Sequence, residues 1–448
     1  MSRFIVVLGG GESGVGAAVL AREKGFQVML SDINTINEKY KNVLLHYAID
    51  FEENGHTFQK LVDASEVIKS PGIPDTVSIV RKLKENGIPV ISEIEFAGRF
   101  CRAYRICISG SNGKTTTALL TEYILRQSGK EVVSAGNMGN SFASVIAGSD
   151  PEYVVLELSS FQLEGMYDFK ADIAVLTNIV PDHLDRYGGV FQRYVDAKFR
   201  ILQNQTGSDH LIYNADDPLL CREIDKRRPL AKLHPLSMHN TALKDGAFIN
   251  ENNEIIIDIN NKREQIMTIE ELALQGKHNI YNSMAGGVVS RLLEIRKETI
   301  KTCLSDFQNI EHRLEYAGSV RSIDFINDSK ATNVNSSWYA LETMNSPVIW
   351  IAGGVDKGND YSRLRELVRE KVKGIVCLGV DNKKLIQTFS GDVDQITTAT
   401  SAWQAVSQAY YMAEPGDVVL LSPACASFDL FENFEDRGNQ FKNAIRNL

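Results

Sequence analysis

A glycine-rich loop with a lysine and three threonines, Ser-Gly-Ser-Asn-Gly-Lys-Thr-Thr-Thr, occupies positions 109–117. It follows a short apolar run and precedes a helical pattern, which is the order of a phosphate-binding loop. In such a loop the backbone amides hold phosphate oxygens, Lys114 would neutralise charge on the β- and γ-phosphates, and Thr115 would bind Mg²⁺. The position five before Gly113 is Ile108 rather than glycine, so the loop is a shorter variant. We predict that it binds a nucleotide.

A second glycine-rich loop, Gly-Gly-Gly-Glu-Ser-Gly, occupies positions 9–14 after the first apolar run. Together with Asp32 at the end of the second apolar run, it has the layout of a dinucleotide-binding βαβ unit. The loop amides and the start of the following helix suit a diphosphate group. Because the diphosphates of NAD and of a UDP-sugar look alike to such a loop, the motif predicts a diphosphate ligand rather than a redox reaction. A tight turn without a ligand is the simpler alternative.

Acidic and imidazole side chains follow two further apolar runs. Glu157 ends one of them, where a carboxylate would face the ligand crevice of an α/β sheet and could hold Mg²⁺ beside ATP phosphates. His183 lies between Asp182 and Asp185 after the next run and could bind a divalent metal or an anionic intermediate. The alternatives are a surface carboxylate and a structural histidine. Lys198 lies in an amphipathic helical pattern and, taken alone, is interpreted as a surface lysine.

Polar segments also follow apolar runs in the last third of the chain, at 327–332, 353–358 and 422–429. The aspartate of the first segment could bind ribose hydroxyls. Lys357 could bind a carboxylate, or it could be a solvated turn lysine. The third segment has small residues and a predicted helix start near Asp429, an arrangement that suits a carboxylate ligand.

The elements that must position these residues are short apolar runs alternating with helical patterns. The runs lie at 4–8, 28–30, 105–109, 154–158, 173–176, 348–352, 375–378 and 418–421. Continuous apolar runs are typical of parallel strands buried on both faces, so we predict an α/β fold with doubly wound sheets. Domain boundaries are predicted near 95–104 and 305–315, and a hairpin within 240–268.

The composition excludes several classes of protein. A length of 448 residues favours about three domains, and 43% hydrophobic with 23% charged residues is typical of a globular protein. A net charge of −9 without a polybasic run argues against nucleic-acid binding. No apolar run is long enough to span a membrane and no signal-peptide layout is present, so we expect a cytoplasmic protein without a membrane partner. Six cysteines without a CxxC pair, Cys425 among them, are interpreted as reduced packing residues.

These motifs together resemble the Mur ligases, ATP-dependent amide-bond-forming enzymes of peptidoglycan precursor synthesis, over essentially the whole chain. The matching segments are 110–116, 157–163 (ELSSFQL), 178–187 (NIVPDHLDRY), 276–282 (GKHNIYN), 311–313 (EHR), 327–332 (NDSKAT), 353–358 and 421–438 (LSPACASFDLFENFEDRG). The last segment and Ser-Pro-Gly-Ile-Pro at 70–74 resemble the members that add D-glutamate. The Asp-Asn-Pro-Arg motif expected of members that add diaminopimelate or lysine is absent from the sequence.

The resemblance implies a three-domain α/β fold. It implies a Rossmann-like UDP-sugar-binding domain at 1–96, a central P-loop ATPase-type parallel-sheet domain that binds ATP at 97–310, and a Rossmann-like amino-acid-binding domain at 311–448. The implied activity is ATP-dependent addition of D-glutamate to UDP-N-acetylmuramoyl-L-alanine through an acyl phosphate, with two Mg²⁺ ions. A monomer is expected.

The resemblance also implies roles for individual residues. The implied ATP contacts are Gly110, Asn112, Gly113, Lys114, Thr115, Thr116, Asn279, Arg313 and Asp328. The implied metal ligands are Thr115, Glu157, His183 and Lys198, the last three being catalytic together with Lys114. Lys198 would be carbamylated, because a neutral amine can take up CO₂ and become an anionic ligand for Mg²⁺. The implied UDP-substrate contacts are Gly11, Ser13, Asp32, Ser70, Gly72, Asn137 and Ser159. The implied D-glutamate contacts are Lys330, Thr332, Lys357, Ser427, Phe428 and Phe434.

The first loop departs from the family pattern. It carries Glu12 and Ser13 where the family more often has an apolar residue and a threonine at the uracil, and Asp32-Ile33 only partly matches the expected acidic residue and threonine. Ser13 can still donate a hydrogen bond, whereas the contacts of Glu12 are left open.

Other functions compete with this interpretation. Folylpolyglutamate synthetases share the ATP-binding pattern but would not need the loop at 9–14. A Mur ligase that adds another amino acid is the nearest alternative. A regulator that senses NAD or a UDP-sugar through a P-loop switch would not need Glu157, His183 and Lys357 together. A dehydrogenase would need hydride-transfer residues, for which the sequence offers no set.

Overall fold

The computed structural model describes residues 3–307 and 311–448. The chain divides into two compact units, of which the first ends at Phe307 and the second extends to Leu448. Two β-sheets lie in the first unit and one in the second. The predicted boundary between 310 and 311 adjoins residues 308–310, which lie outside the described residues, so the three domain ranges stay a prediction.

The first sheet has five parallel strands in the order β3-β2-β1-β4-β5. The strands are β1 (Phe4–Leu8), β2 (Gln27–Ser31), β3 (Asp50–Glu52), β4 (Glu66–Lys69) and β5 (Val90–Ser92). The helices are α1 (Glu12–Glu23), α2 (Glu38–His46), α3 (Phe58–Leu61), α4 (Ser78–Glu85) and α5 (Glu93–Gly98). Because β1 is central, with β2 and β4 on either side, its apolar sequence is almost entirely buried. The first glycine loop thus follows the central strand of a doubly wound sheet.

The second sheet has nine strands in the order β14-β13-β12-β11-β10-β9-β6-β8-β7. The strands are β6 (Tyr104–Ser109), β7 (Val132–Gly136), β8 (Tyr153–Glu157), β9 (Ile173–Leu176), β10 (His210–Asn214), β11 (Lys232–Ser237), β12 (Gly246–Ile249), β13 (Glu254–Ile259) and β14 (Lys262–Thr268). The helices are α6 (Lys114–Gln127), α7 (Phe142–Gly148), α8 (Ser160–Glu164), α9 (Phe191–Phe199), α10 (Pro218–Arg227), α11 (Lys277–Leu292) and α12 (Lys297–Asp306), with 3₁₀ turns at Arg200–Leu202 and Ile269–Glu271. The predicted hairpin is an antiparallel meander, β12 to β14, added to the edge of the parallel strands.

The first two sheets share a hydrophobic core. One buried apolar cluster includes Ile5 on β1, Phe142 on α7 and Leu156 on β8. Helix α1 packs so closely on α7 that a Cβ atom on Gly16 would lie 2.0 Å from the Ser141 hydroxyl oxygen. This shared core accounts for the single compact unit that these two sheets form.

The sheet of the second unit has six strands in the order β15-β16-β20-β17-β18-β19, with β15 antiparallel. The strands are β15 (Glu315–Val320), β16 (Ile323–Asn327), β17 (Val348–Ala352), β18 (Val372–Leu378), β19 (Gln395–Ala399) and β20 (Val418–Leu421). The helices are α13 (Val334–Thr343), α14 (Arg365–Lys371), α15 (Lys383–Phe389), α16 (Ala402–Met412) and α17 (Phe434–Arg446), with a 3₁₀ turn at Tyr361–Leu364. In both described parts of the chain, no helix combines the length and apolar character needed to cross a membrane.

The helix predicted to start near Asp429 is wrong in position. The Asp429 carboxylate instead accepts a hydrogen bond from the Val380 amide, 3.0 Å away. Helix α17 begins five residues later, at Phe434, where the Asn433 side chain caps it by accepting from the Asp436 amide at 2.7 Å. The cap therefore sets the helix start, and the preceding residues form turns.

Candidate active site

Four neighbouring parallel strands of the second sheet, β9, β6, β8 and β7, end at a common edge. The phosphate loop follows β6, Glu157 is the last residue of β8, Asn137 follows β7, and the segment leading to His183 follows β9. Residues predicted to bind ATP or Mg²⁺ therefore meet at one edge with Asn137, which was predicted to contact the UDP-substrate, as expected for the ligand crevice of an α/β sheet.

The phosphate loop requires glycine at two positions. Gly110 has φ +145°, and a Cβ atom there would lie 2.0 Å from the Thr177 hydroxyl oxygen. Gly113 has φ +82°, and its Cβ atom would lie 2.5 Å from Asn282 Oδ1. Lys114, the first residue of α6, donates to the carbonyl oxygens of Gly110 at 2.9 Å and Ser111 at 2.8 Å. The loop is thus closed tightly around its lysine.

Asn178, to which the sequence analysis gave no role, holds the middle of the phosphate loop. Its Oδ1 accepts from the Asn112 amide at 3.0 Å, and its Nδ2 donates to the Asn112 carbonyl at 3.1 Å. The Thr177 hydroxyl donates to the same carbonyl at 2.6 Å. The sequence did carry a signal for this anchor. Thr177 and Asn178 are polar residues that directly follow a buried strand, in the segment that carries His183.

Glu157 is buried and is held by two donors. The Thr115 hydroxyl donates to Oε2 at 2.6 Å, and Asn137 Nδ2 donates to Oε1 at 2.8 Å. A hydroxyl and a carboxylate are oxygen ligands of the kind that Mg²⁺ prefers. No group of three or more His, Cys, Asp or Glu side chains among residues 3–307 and 311–448 could hold a metal. The pair therefore fits a Mg²⁺ ion that takes its remaining ligands from phosphates and water.

Lys198 is fully buried, so its interpretation as a surface lysine is wrong. Its amine donates to the Gly110 carbonyl at 2.7 Å and contacts the Ser109 hydroxyl at 3.3 Å. Burial, assisted by the positive charge of Lys114, holds the pKa of Lys198 well below that of an exposed lysine. An amphipathic pattern does not show which neighbouring element covers a given side chain. In this structure the end of β6 covers the Lys198 side chain of α9. A neutral amine is the form that can be carbamylated.

His183 lies in the loop between β9 and α9 with a left-handed backbone, φ +52°. Its amide donates to Asp182 Oδ1 at 2.9 Å, and its ring centroid lies 5.0 Å from that of Phe161. The imidazole Nε2 is 3.7 Å from Asp182 Oδ2 and the side chain is one-third exposed. The ring is thus oriented by an aromatic neighbour and is one-third exposed.

Asn279, on the first turn of α11, is connected to the phosphate loop through Asn282. The Asn279 Oδ1 accepts from Asn282 Nδ2 at 3.1 Å, and Asn282 Oδ1 accepts from the Thr117 hydroxyl at 3.1 Å. The predicted nucleotide contact therefore lies beside the loop, and Asn282 is a second supporting residue that sequence reasoning missed.

A cleft of about 780 Å³ lies at the carboxyl ends of β1, β2 and β4. Five of the seven predicted UDP-substrate residues line it: Gly11, Ser13, Asp32, Ser70 and Gly72. Its lining also includes His56, Phe58 and Lys82, which the sequence analysis did not single out. The other two predicted contacts lie elsewhere, since Asn137 is bonded to Glu157 and Ser159 caps α8.

The acidic residues of the cleft have defined partners. The Asp32 carboxylate accepts from the Gly10 amide at 2.5 Å and the Asn34 amide at 2.7 Å, so it braces the glycine loop. Glu12 accepts from the Tyr40 hydroxyl at 3.2 Å and the Ser141 amide at 3.5 Å. Glu12 thus joins the cleft to the N-terminus of α7.

In the second unit, the three polar segments follow β16, β17 and β20, which are neighbours in the sheet. Asp328 is buried after β16, where it accepts from the Ser422 hydroxyl at 2.8 Å and the Leu314 amide at 3.3 Å. Burial raises the pKa of Asp328 to about 7, against the opposing charge of Arg313, which lies close enough to act on it.

The loops carrying Lys357 and Ser427 are joined by hydrogen bonds. The Val355 amide donates to the Ala426 carbonyl at 2.9 Å, and Asn359 Nδ2 donates to the Ala424 carbonyl at 3.0 Å. Ser427 is buried, whereas the Phe428 side chain is exposed. These two loops form one surface at the end of the sheet.

Lys330, from the segment after β16, lies near the start of α17, and Thr332 is bonded to it through the backbone. The Lys330 amine is 5.1 Å from the centroid of the Phe434 ring, and the Thr332 amide donates to the Lys330 carbonyl at 2.9 Å. Arg437, which sequence reasoning missed, is buried and donates to the Ser329 carbonyl at 2.7 Å and the Cys425 carbonyl at 3.3 Å. Its guanidinium therefore ties two of the three loops together.

Three family models match the chain. They are described as the MurD N-terminal domain, over residues 5–79, the Mur ligase middle domain, over 108–290, and the Mur ligase, glutamate ligase domain, over 312–425. The matches together follow the order of the three sheets.

Relatives named UDP-N-acetylmuramoylalanine--D-glutamate ligase match along the whole chain. The protein of Christiangramia forsetii is 52% identical over 448 residues, covering 100% of both chains. Those of Bacteroides fragilis and Chlorobaculum parvum are 52% and 42% identical, each covering 99% of this chain and 99% and 97% of their own.

Solved structures of low sequence identity share the fold. The UDP-N-acetylmuramate-alanine ligase MurC of Thermotoga maritima has a TM-score of 0.64 at 17% identity, with 100% of both chains covered. The MurF ligase of Thermotoga maritima, solved in complex with ADP, has a TM-score of 0.61 at 15% identity, covering 96% of this chain and 99% of its own.

Proposed function

The chain belongs to the Mur ligase family, and we propose that it joins D-glutamate to UDP-N-acetylmuramoyl-L-alanine, with ATP cleaved to ADP and phosphate. The observation that carries this proposal is the 52% identity, over the full length of both chains, to a ligase of that name. The three groups of strand-end residues support it, because such a reaction needs sites for a UDP-sugar, a nucleotide and an amino acid.

The first chemical step activates a carboxylate, because a carboxylate at neutral pH is a very poor acyl donor. An oxygen of the terminal L-alanine carboxylate attacks the γ-phosphorus of ATP, ADP leaves, and an acyl phosphate forms. Both reactants are anions, so their approach requires nearby positive charge. Lys114 and the amides of the loop at 110–116 would supply that charge from this chain.

Mg²⁺ fits the oxygen ligands of this site. Thr115 and Glu157 would hold one ion, and His183 with a carbamylated Lys198 would hold a second. When bound, Mg²⁺ neutralises charge on the phosphate oxygens. Asn137 and Thr115 orient the Glu157 carboxylate, and α9 places the Lys198 amine beside the first glycine of the loop.

The second step forms the amide bond. The neutral amine of D-glutamate attacks the acyl carbon, the bond to phosphate breaks, and inorganic phosphate leaves while the nitrogen loses a proton to phosphate or solvent. We assign the D-glutamate carboxylates to the second unit. The residues proposed for this role are Lys330, Thr332, Lys357, Ser427, Phe428 and Phe434. Lys330 and Lys357 supply the positive charge that two carboxylates require.

The cleft of about 780 Å³ in the first unit would bind the UDP part of the substrate. Its glycine loop at the start of α1 suits a diphosphate, and Asp32 holds that loop in place. Asn137 and Ser159 stay proposed contacts for the muramoyl end. We also propose that the protein is a monomer, and the ATP requirement favours the cytoplasm.

Product formation tests the proposal. The protein would be incubated with ATP, MgCl₂ and UDP-N-acetylmuramoyl-L-alanine, and with D-glutamate, L-glutamate, L-lysine or meso-diaminopimelate. Mass spectrometry should show a ligated product with D-glutamate and none with Lys114→Ala. A product with a different amino acid would move the activity to another member of the family, and no product with any of them would overturn the proposal.

A further inference from the structure

Arg186 connects the loop that carries His183 to the wall of the UDP cleft. Its side chain, 13% exposed, donates to the carbonyl oxygens of Gly72 and Ile73, each at 3.3 Å. Gly72 and Ile73 both line the cleft of about 780 Å³. A side chain from the loop between β9 and α9 thus holds the backbone that would contact a ligand bound at the first sheet.

The other side of Arg186 lies against the candidate metal site. Its guanidinium carbon is 4.0 Å from the centroid of the Phe161 ring, and that ring is 5.0 Å from the His183 ring. The Arg186 amide also donates to the His183 carbonyl at 3.0 Å. The planar guanidinium can stack on a ring and donate at its edge simultaneously, so one side chain contacts both regions.

The turn that carries Gly72 and Ile73 is also held by a second cation, which comes from the first sheet. The buried Lys69 amine donates to the Ile73 carbonyl at 2.6 Å. Burial lowers the pKa of Lys69, and the positive charge of Arg186 lowers it further, while Asp75 opposes the shift. Asp75 lies 3.4 Å from Lys69, and Glu164 lies 3.9 Å from Arg186. Two cations converging on one carbonyl make the position of this turn sensitive to the position of Arg186.

We propose that Arg186 is a positioning residue that couples the two ligand sites, so that UDP-substrate binding at the cleft strengthens Mg²⁺-nucleotide binding at the phosphate loop. The naming of the two ligands rests on the proposed function. A ligand that packs on Gly72 and Ile73 fixes the carbonyls to which Arg186 donates, and Arg186 in turn fixes the Phe161 and His183 rings. By linkage, the nucleotide strengthens substrate binding by the same factor.

The coupling is measured by calorimetry on the full chain. The Kd of a non-hydrolysable ATP analogue with Mg²⁺ is determined with and without saturating UDP-N-acetylmuramoyl-L-alanine. We expect the substrate to tighten nucleotide binding at least about fivefold in the wild type, the lower range of measured couplings. In Arg186→Met, which keeps a long apolar stem without donors, the ratio should fall to about one.

A matched control is available in Arg200. Its guanidinium also donates to two carbonyl oxygens, those of Leu163 and Met166, and lies 5.8 Å from the centroid of the Tyr167 ring, but none of these residues lines the cleft. Arg200→Met should therefore keep the wild-type ratio. Arg186→Lys, which retains the charge without the planar fork, should also lose the coupling. This variant tests the proposal if Arg186→Met does not fold.

A wild-type ratio of one, or an unchanged ratio in a folded Arg186 variant, would overturn the coupling while leaving ligation by the wild type intact. Failure of the wild type to bind the UDP-substrate would instead overturn the proposed function and, with it, the ligands named here.

Discussion

The amine nitrogen of Lys198 lies 2.7 Å from the carbonyl oxygen of Gly110, so a helix remote in sequence contacts the first glycine of the phosphate loop. The same amine is surrounded by protein, and Lys114 adds a second positive charge nearby. Both conditions disfavour the ammonium form. Burial and the charge of Lys114 therefore favour an uncharged amine at the position where we propose a carbamylated ligand for Mg²⁺.

We expect Lys198 to take up CO₂ at neutral pH. Its lowered pKa means that the amine loses its proton at a lower pH than an exposed lysine does, and the neutral amine is the reactive form. With ¹³C-bicarbonate, NMR should show a carbamate resonance in the wild type that is lost in Lys198→Arg and kept in Lys39→Arg, a surface control. Lys198→Ala should lower ligation at least about 100-fold. A resonance that persists without Lys198 would contradict the assignment.

Glu157→Gln should raise the Mg²⁺ concentration needed for half-maximal activity. The substitution keeps the side-chain shape but removes the negative charge, so we expect a rise of about 10- to 100-fold. Phosphate release titrated with MgCl₂ measures the effect, with the exposed Glu85→Gln as a control. An unchanged Mg²⁺ requirement in a folded Glu157→Gln protein would argue against a metal at this carboxylate.

The positions of most candidate segments were predictable because they depend on local pattern and on one rule of sheet geometry. The apolar runs at 4–8, 173–176, 348–352 and 418–421 are strands with those bounds, and parallel strands bring their carboxyl ends to one edge. The glycine loops, Glu157 and the 327–332 segment therefore lie where we expected them.

The sequence did not reveal contacts between residues far apart in the chain. Lys198 is buried by β6, Asn137 bonds to Glu157 instead of lining the cleft, and Asn178 and Arg437 anchor loops from other elements. Each of these depends on which elements pack together, and local periodicity carries no information on that. The start of α17 was misplaced because several small polar residues precede the true cap.

Asp328 should make the second unit less stable as pH rises. Its pKa is about 7 when folded and about 3.9 when unfolded, so between these values the folded state binds more protons. The free energy of unfolding then falls with pH, by up to about 1.4 kcal/mol per pH unit. The Asp328→Asn variant has no ionisable group at this position. The free energy of unfolding of the wild type relative to that of the variant should therefore fall from pH 5 to 7 and level off above about pH 8.

Urea unfolding followed by tryptophan fluorescence measures this difference. Trp338, Trp350 and Trp403, the three tryptophans of the chain, all lie in the second unit. Burial also raises the pKa of Glu93 to about 7, but Glu93 belongs to the first unit and is present in both proteins. A difference in stability that does not change with pH would mean that Asp328 ionises normally in the folded protein.

Tyr361→Phe should weaken D-glutamate binding selectively. The buried Tyr361 hydroxyl lies 2.9 Å from Cys425 Sγ and accepts from Asn359 Nδ2 at 3.2 Å, so it joins the loops that carry Lys357 and Ser427. Losing these hydrogen bonds should raise the KM for D-glutamate about 2- to 10-fold while the KM for ATP stays within about twofold. Tyr411→Phe, at an exposed position, is the control. Equal changes in both KM values would indicate a general loss of structure.

The transfer of oxygen from substrate to phosphate tests the central claim most directly. UDP-N-acetylmuramoyl-L-alanine labelled with ¹⁸O in its terminal carboxylate would be converted with ATP, MgCl₂ and D-glutamate, and the released phosphate analysed by mass spectrometry. If the carboxylate attacks ATP and the acyl phosphate is then opened by the amine, each phosphate should carry one ¹⁸O atom. Unlabelled phosphate alongside ligated product would contradict activation through an acyl phosphate.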